Sequence, residues 1–313
     1  MARHESSYWP LRWFLLAALL MSSTVFSQQS QQKGDASLTL EYQYVRTGDF
    51  DSNLGVLDLG KMDTHVILLS GDYALNERWT VFASLPYVQR RYKGVDPHDA
   101  VADFTNFTPP DLTFIDDGSY QKGLQDFYAG VRYLAKDGPR LTVTPYISYG
   151  NPTNNYHIYG WSAVGRGIWH LPVGATIGYT PYFSDWNFNA DIAYVFTEKT
   201  LGVDISHWLI YADARYYFTP RFSAKIFLAA KKSFNGLDFD DQFISNYADT
   251  ETWYLHDRVL KHGYTNAGIG FDWFLSDRYV LFGNTFTMVK PDQTNDIEYA
   301  ISIGLTRYFS GSN

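Results

Sequence analysis

Between Glu298 and Phe309 the residues Tyr299, Ile301, Ile303, Leu305 and Phe309 are apolar, while Ala300, Ser302, Gly304 and Thr306 between them are small or polar. A period of two puts the sets on opposite faces of a strand; a helix would need one near 3.6. The period recurs. Leu38, Leu40, Tyr42 and Tyr44 alternate with Thr39, Glu41 and Gln43, and Trp208, Ile210, Ala212, Ala214, Tyr216 and Phe218 with His207, Tyr211, Asp213 and Arg215. Between them, Ile67–Tyr73, Trp79–Tyr87, Phe127–Tyr133, Leu141–Tyr149, Val173–Tyr179 and Phe188–Phe196 read the same way, as do Phe222–Leu228 and Ala267–Trp273 later in the chain. Val280, Phe282, Phe286 and Met288 make a further apolar face, but Asn284 falls on it and leaves the register of that strand open.

The count is about twelve strands, each near the roughly ten residues that a tilted strand needs to cross an outer membrane. Short turns at Asn76, Asp137, Pro220 and Asp277 alternate with long segments at about 91–125, 150–167 and 233–261. A soluble sandwich has no reason for that asymmetry, whereas a membrane barrel has short periplasmic turns and long external loops. In lipid every backbone N–H and C=O must be paired within the protein, and only closure removes both sheet edges. The expected fold is all-β: a transmembrane antiparallel up-and-down β-barrel of about twelve strands. Composition agrees. Aromatic residues make up 18% of the chain, with 25 Tyr, and a barrel uses Tyr and Trp at its two water–lipid boundaries. A mean hydropathy of −0.26 suits strands that offer only every second residue to lipid.

At the N-terminus, Arg3 and Arg12 precede the apolar run Trp13–Met21 and then the small residues Ser22, Ser23, Thr24 and Ser27. This is the layout of a secretory signal peptide over 1–27, the run being shorter than the about twenty apolar residues of a membrane-spanning helix. Residues 28–35 then form a polar leader, read as a flexible periplasmic tail, and 36–313 the barrel. The expected location is the bacterial outer membrane. There is no Cys, which excludes disulfides and thiolate metal sites. Beyond residue 27 remain 23 basic and 32 acidic residues, a formal charge near −9 that makes nucleic acid an improbable partner.

The closing strand resembles the final strand of bacterial outer-membrane β-barrels, through which that family is recognised by the barrel-assembly machinery. Here four residues, Ser310 to Asn313, follow Phe309, where the family usually ends on the aromatic. Leu85-Pro86-Tyr87-Val88, Asp126-Phe127-Tyr128-Ala129-Gly130-Val131-Arg132-Tyr133 and Thr144-Pro145-Tyr146-Ile147-Ser148-Tyr149-Gly150 with Pro152-Thr153 look like strand motifs of the outer-membrane proteins grouped as the MetA-pathway phenol-degradation family. The resemblance implies uptake of aromatic or other hydrophobic compounds and supplies no functional residues.

From the alternation, the residues expected to line the solute path are Glu41, Asp72, Arg132, Asp191, Asp213, Arg215, Lys225 and Asp272. Such a lining either pairs internally and only stabilises the barrel or forms a polar path that selects solutes. Barrel bore grows with strand number, so twelve strands imply a narrow passage that an inward-folded loop closes easily. The expected function is passive uptake or binding of small hydrophobic or aromatic solutes. The alternatives are a closed structural or adhesive barrel and a lipid hydrolase at the outer rim.

No catalytic residues, cofactor or metal are expected. Ser206 and His207 are adjacent and point to opposite faces, and Gly160-Trp161-Ser162-Ala163-Val164 lacks the second Gly of a nucleophile elbow, leaving only Ser162 with His157 or His170 at the rim. The acidic loops, with Asp96, Asp99, Asp103, Asp111, Asp116 and Asp117 in one and Asp238, Asp240, Asp241, Asp249 and Glu251 in another, lack EF-hand spacing. Solvated surfaces are expected there, with weak divalent bridging to lipopolysaccharide secondary. The expected partners are thus the lipid bilayer, lipopolysaccharide, the assembly machinery and a small solute.

Overall fold

The computed structural model describes residues 32–58, 60–94, 115–248 and 250–311. The proposed signal peptide, the first half of the leader (28–31), and Asp96, Asp99, Asp103, Asp111 and Asp249 lie outside them. Twelve long strands form the wall: β1 (Ala36–Ser52), β2 (Lys61–Ala74), β3 (Trp79–Lys93), β4 (Asp126–Tyr133), β5 (Leu141–Pro152), β6 (His170–Tyr179), β7 (Trp186–Thr197), β8 (His207–Thr219), β9 (Phe222–Ser233), β10 (Gly263–Ser276), β11 (Tyr279–Asp292) and β12 (Asn295–Phe309). Three short strands, Gly55–Leu57, Gln121–Leu124 and Lys136–Asp137, extend the ladders at the ends. Each strand pairs antiparallel with its sequence neighbours. The sheet closes where β12 meets β1, in register from Ala36 opposite Phe309 up to Arg46 opposite Tyr299, so no edge remains.

Outside, Leu38, Leu40, Ile67, Leu69, Ile192, Ile210, Ile226, Ile269, Ile301 and Ile303 are exposed, an apolar band that only lipid can cover. Paired rings bound it. At the end carrying the termini, Trp79 lies 4.8 Å from Tyr133 and Trp186 5.1 Å from Tyr216, and at the other end Tyr194 lies 5.2 Å from Trp208. The eight residues from Trp186 to Tyr194 or from Trp208 to Tyr216 separate these belts by roughly 20 Å along a tilted strand. No helix among the described residues is long and apolar enough to cross a membrane.

One strand is oriented opposite to what its apolar face implies. In β11 it is Val280, Phe282, Phe286 and Met288 that are buried inside, while Val289 is 57% exposed outside, in step with Leu281, Thr285 and Thr287. Asn284 decides the register. It stands opposite Ser302 on β12 and donates to the Ser302 hydroxyl at 3.1 Å, an interior hydrogen bond that a lipid-facing Asn284 could not make. On the lipid side the Thr287 hydroxyl is satisfied by the Ile297 and Glu298 carbonyls, each at 2.9 Å.

The two ends differ. Where the termini emerge, the connections are short, and Ala74 and Gly311 are bound to the residues just before β1: Gly34 N–H donates to the Ala74 carbonyl at 2.9 Å and Gly311 N–H to Asp35 Oδ1 at 2.8 Å. At the opposite end the connection between β9 and β10 carries two short helices, α1 (Asp241–Tyr247) and α2 (Glu251–Tyr254). Asp240 caps α1 by accepting from the Phe243 amide at 2.8 Å.

Candidate functional site

All eight residues expected along the path fall on inward-facing positions, and the fold decides their partners. Arg132 on β4 reaches Asp72 on β2 at 2.6 Å, with its guanidinium 4.6 Å above the ring of Phe82 on the intervening β3. Arg215 on β8 reaches Asp272 on β10 at 3.2 Å and lies 4.0 Å from Asp213 on its own strand. Asp191 on β7 accepts from Tyr146 on β5 at 2.8 Å and from Thr176 on β6 at 2.7 Å. Each of the links Arg132–Asp72, Arg215–Asp272 and Tyr146–Asp191 skips a single strand. Two strand spacings are about 10 Å, whereas opposite walls of a twelve-strand barrel stand roughly 24 Å apart, so these contacts run around the wall and do not cross the bore. Lys225 pairs in register with Arg215, and Glu41, on β1, is among the charges acting on its ammonium. Together the eight carry three cations and five carboxylates, a formal charge of −2.

Several inward polar atoms have no protein partner, including both amide atoms of Gln43 and of Asn266 and the Asn189 and Asn284 oxygens. Each is buried, so an unpaired atom there costs on the order of 1–3 kcal/mol.

A second component was not among the expected path residues. Phe82, Tyr128, Tyr146, Tyr211, Phe227, Phe282 and Phe286 also point inward. They lie flat, because small residues beside them leave room: a Cβ added at Gly130 would meet Phe82 at 2.6 Å, one at Gly150 would strike Tyr128, one at Gly268 Phe227 and one at Gly304 Phe282. Tyr211 stacks on Phe227 at 5.8 Å, and Phe286 meets Phe227 edge-on at 6.2 Å. The interior thus offers charged and aromatic strips side by side. The available signal was parity: Phe227 shares its face with Lys225, and Tyr211 with Asp213.

The loop end is closed by a different material. Ile115 from the β3–β4 connection, Trp161 and Ala163 from the β5–β6 connection, and Phe239, Phe243, Trp253, Tyr254, Val259 and Leu260 from the β9–β10 connection bury one another together with Phe50, Met62 and Tyr92 at the strand tops. These connections leave the rim at well-separated points, so a single cluster among them spans the mouth. Polar pins hold it: Asp116 accepts from the Trp161 and Ser162 amides at 2.7 and 2.8 Å, and Arg90, inward on β3, donates to the Ala163 carbonyl at 2.9 Å. Burial lowers the Arg166 guanidinium to about 10 against the opposing pull of the Asp257 charge, so it stays charged at neutral pH. His262, at the root of the β9–β10 loop, is held well below the usual imidazole range by burial and by the charges of Lys231 and Arg166.

The serines considered for a hydrolase make other contacts. Ser162 is fully buried and its hydroxyl accepts from the Tyr92 amide at 3.1 Å, while Ser206 donates to Asp204 at 2.6 Å and His207 Nδ1 faces the Ile205 carbonyl at 3.0 Å. Among the described residues no three His, Asp or Glu side chains gather as a metal site. Asp116 is engaged with amides, Asp117 with the Ser119 amide at 2.8 Å, Asp238 with Gln293 at 2.7 Å, and Asp240 caps α1.

No family model and no curated protein sequence matches the chain. Among solved structures, the COG4313 outer membrane channel from Pseudomonas putida F1 superposes with a TM-score of 0.68 over 91% of this chain and 100% of that one, at 13% identity. The chain has the fold of that barrel. The translocator domain of the autotransporter NalP from Neisseria meningitidis follows at a TM-score of 0.52 and 13% identity, covering 89% of this chain and 90% of its own. At these identities the likeness concerns the fold, and a function has to be argued from the lumen and the cap.

Proposed function

We propose that the protein is a channel of the bacterial outer membrane that admits small aromatic or otherwise amphipathic solutes by passive diffusion, with the loop cluster as its external gate. The observation that supports this reading is the interior wall, where ion pairs that follow the wall and rings laid over glycines set charged and aromatic strips side by side. A solute with an apolar ring and a polar edge matches both strips. The strand motifs that resemble the MetA-pathway phenol-degradation family support the same solute class. With this reading go export by a signal peptide at 1–27, recognition of β12 by the assembly machinery, and contact with lipopolysaccharide.

Single-channel recording of the refolded protein in a planar bilayer tests the proposal. Discrete openings that small aromatic acids block are expected. A silent bilayer from both the native protein and a variant with a loosened cap, each fully folded by its heat-shifted electrophoretic mobility, would sink the channel. That outcome would favour the second reading, a closed adhesive or structural barrel, which the apolar closure of the mouth supports.

A further inference from the structure

The outer surface of β1, β2 and β3 departs from the apolar pattern near the loop end. On β2 the outward positions run Tyr73, Gly71, Leu69, Ile67 and then His65, Asp63 and Lys61; on β1 Leu40 and Tyr42 give way to Tyr44 and Arg46; on β3 Leu85 and Tyr87 give way to Gln89, Arg91 and Lys93. A single carboxylate, Asp63, sits under three cations: Arg46 at 2.6 Å, Arg91 at 3.0 Å and Lys93 at 3.5 Å. Its side chain is only 4% exposed, while those of Arg91 and Lys93 are 30% and 50% exposed. Glu298 on β12 binds Arg46 at 3.5 Å and Lys61. Four cations therefore surround two carboxylates, and the surplus N–H groups face away from the barrel.

The height of this patch is fixed by what lies beneath it. Tyr42 and Tyr120 hydrogen-bond to opposite nitrogens of His65 at 2.8 and 3.1 Å, Tyr44 donates to Asp63 at 2.8 Å, and Arg91 stacks over Tyr120 at 4.6 Å. This is an aromatic belt at the water–lipid boundary, with the exposed Leu40, Ile67, Leu69 and Ile301 below it in the acyl region. Arg46 lies four residues beyond Tyr42, roughly 10 Å further out along a tilted strand, at the level of lipid head groups. Cations on the lipid-facing side at that depth meet phosphates before they meet any soluble partner. Asp49, Asp51 and Asp296 gather beyond Glu298 and bound the patch on the β12 side and outward, which leaves the faces of β2 and β3 for the anion.

We infer that Arg46, Lys61, Arg91 and Lys93 form a docking site for the phosphorylated head group of an outer-leaflet glycolipid, lipopolysaccharide, held directly by cations and not through divalent bridges from the acidic loops. The inference rests on the outer-membrane location proposed above and not on the channel activity. Asp63 acts as the positioning residue: it draws three flexible side chains into one array, which lowers the entropy lost when a phosphate binds.

The test uses the full-length protein in detergent, with purified lipopolysaccharide, its enzymatically dephosphorylated form, and phosphatidylglycerol vesicles as probes. Binding is read by co-migration on native gels and by the unfolding temperature in the presence of chelator. The native protein should retain intact lipopolysaccharide on the order of tenfold more tightly than the Lys61→Gln/Lys93→Gln variant, a difference of about 1.4 kcal/mol. That variant leaves the Arg46–Asp63–Arg91 core in place; Arg91→Gln serves as a second variant, with folding checked by electrophoretic mobility. Arg132→Gln, inside the lumen, should bind like the native protein. Equal retention of the dephosphorylated form, equal retention by both rim variants, loss of retention on chelation, or an equal response to phosphatidylglycerol would each overturn the site. A silent bilayer alongside intact lipopolysaccharide binding would count against the channel only.

Discussion

The capped end and the waist of this barrel are built on opposite principles. At the loop end, residues from three connections bury one another in an apolar cluster around Trp161, Tyr92, Phe239, Val259 and Leu260. In the half nearer the termini, the interior holds charges paired along the wall, unpartnered amides, and rings seated on glycines. A dry cluster of loops can separate as a unit without breaking a ladder hydrogen bond, whereas the wall of the waist is the barrel itself. In the proposed channel, closure would therefore belong to the loop cluster and selectivity to the wall, a division found in many proteins whose loops gate a fixed site.

The largest expected effect is at the cap. Trp161→Ala removes a ring that meets Tyr92 at 4.2 Å and should weaken the cluster by about 3–5 kcal/mol. Conductance should rise while the heat-shifted mobility of the folded barrel stays the same. Coupled loss of that mobility would show that cap and barrel form one cooperative unit, and the contrast drawn above would fail.

Arg215→Gln acts on the waist. It removes the guanidinium beside Asp272 and Asp213, leaving them Lys225, and should lower the denaturant midpoint by the equivalent of about 1–3 kcal/mol while moving ion selectivity toward cations, measured by reversal potential. An unchanged reversal potential would place the conducting path away from these residues. Gly304→Val sharpens the same point on the aromatic strip: the new side chain displaces the Phe282 ring from the wall, costing about 1–3 kcal/mol and narrowing the bore. Adding Phe282→Ala should restore the conductance, and failure to do so would mean that the ring does not border the path.

The smallest effect separates the two regions by pH. His262 is packed at the root of the cap, facing Lys231 and Arg166, with His256 also acting on it, and its pKa is lowered in the folded state. A depressed histidine stays neutral in the closed cap while the opened one takes up a proton, so the closed state is fully favoured above about pH 6.5 and loses stability as pH falls toward the folded pKa. Open probability should rise between pH 7 and pH 5 in the native protein and flatten in His262→Gln. A flat native profile over that range would remove His262 from the gate.

Much of this was legible in the chain. The alternation, the short turns at Asn76, Asp137, Pro220 and Asp277, and the outward Tyr and Trp lead to a closed twelve-strand barrel, because a strand with one face in lipid and one in water can satisfy its backbone only by closure. The inward placement of Glu41, Asp72, Arg132, Asp191, Asp213, Arg215, Lys225 and Asp272 follows from parity alone. For β11 parity left the register open, since Asn284 shares a face with Phe282 and Phe286, and the hydrogen bond from Asn284 to Ser302 fixed it.

The partners were decided only in three dimensions. Arg132 finds Asp72, and Arg215 finds Asp272, by reaching over one strand, a relation set by strand order and stagger and invisible in sequence spacing. The same holds for the rings that rest on Gly268 and Gly304 and for the cap, whose members are spread along the chain from Phe50 to Leu260. A period of two tells which face a residue occupies because that is local backbone geometry; which residues meet across a closed surface depends on how the whole ring of strands is sheared and joined.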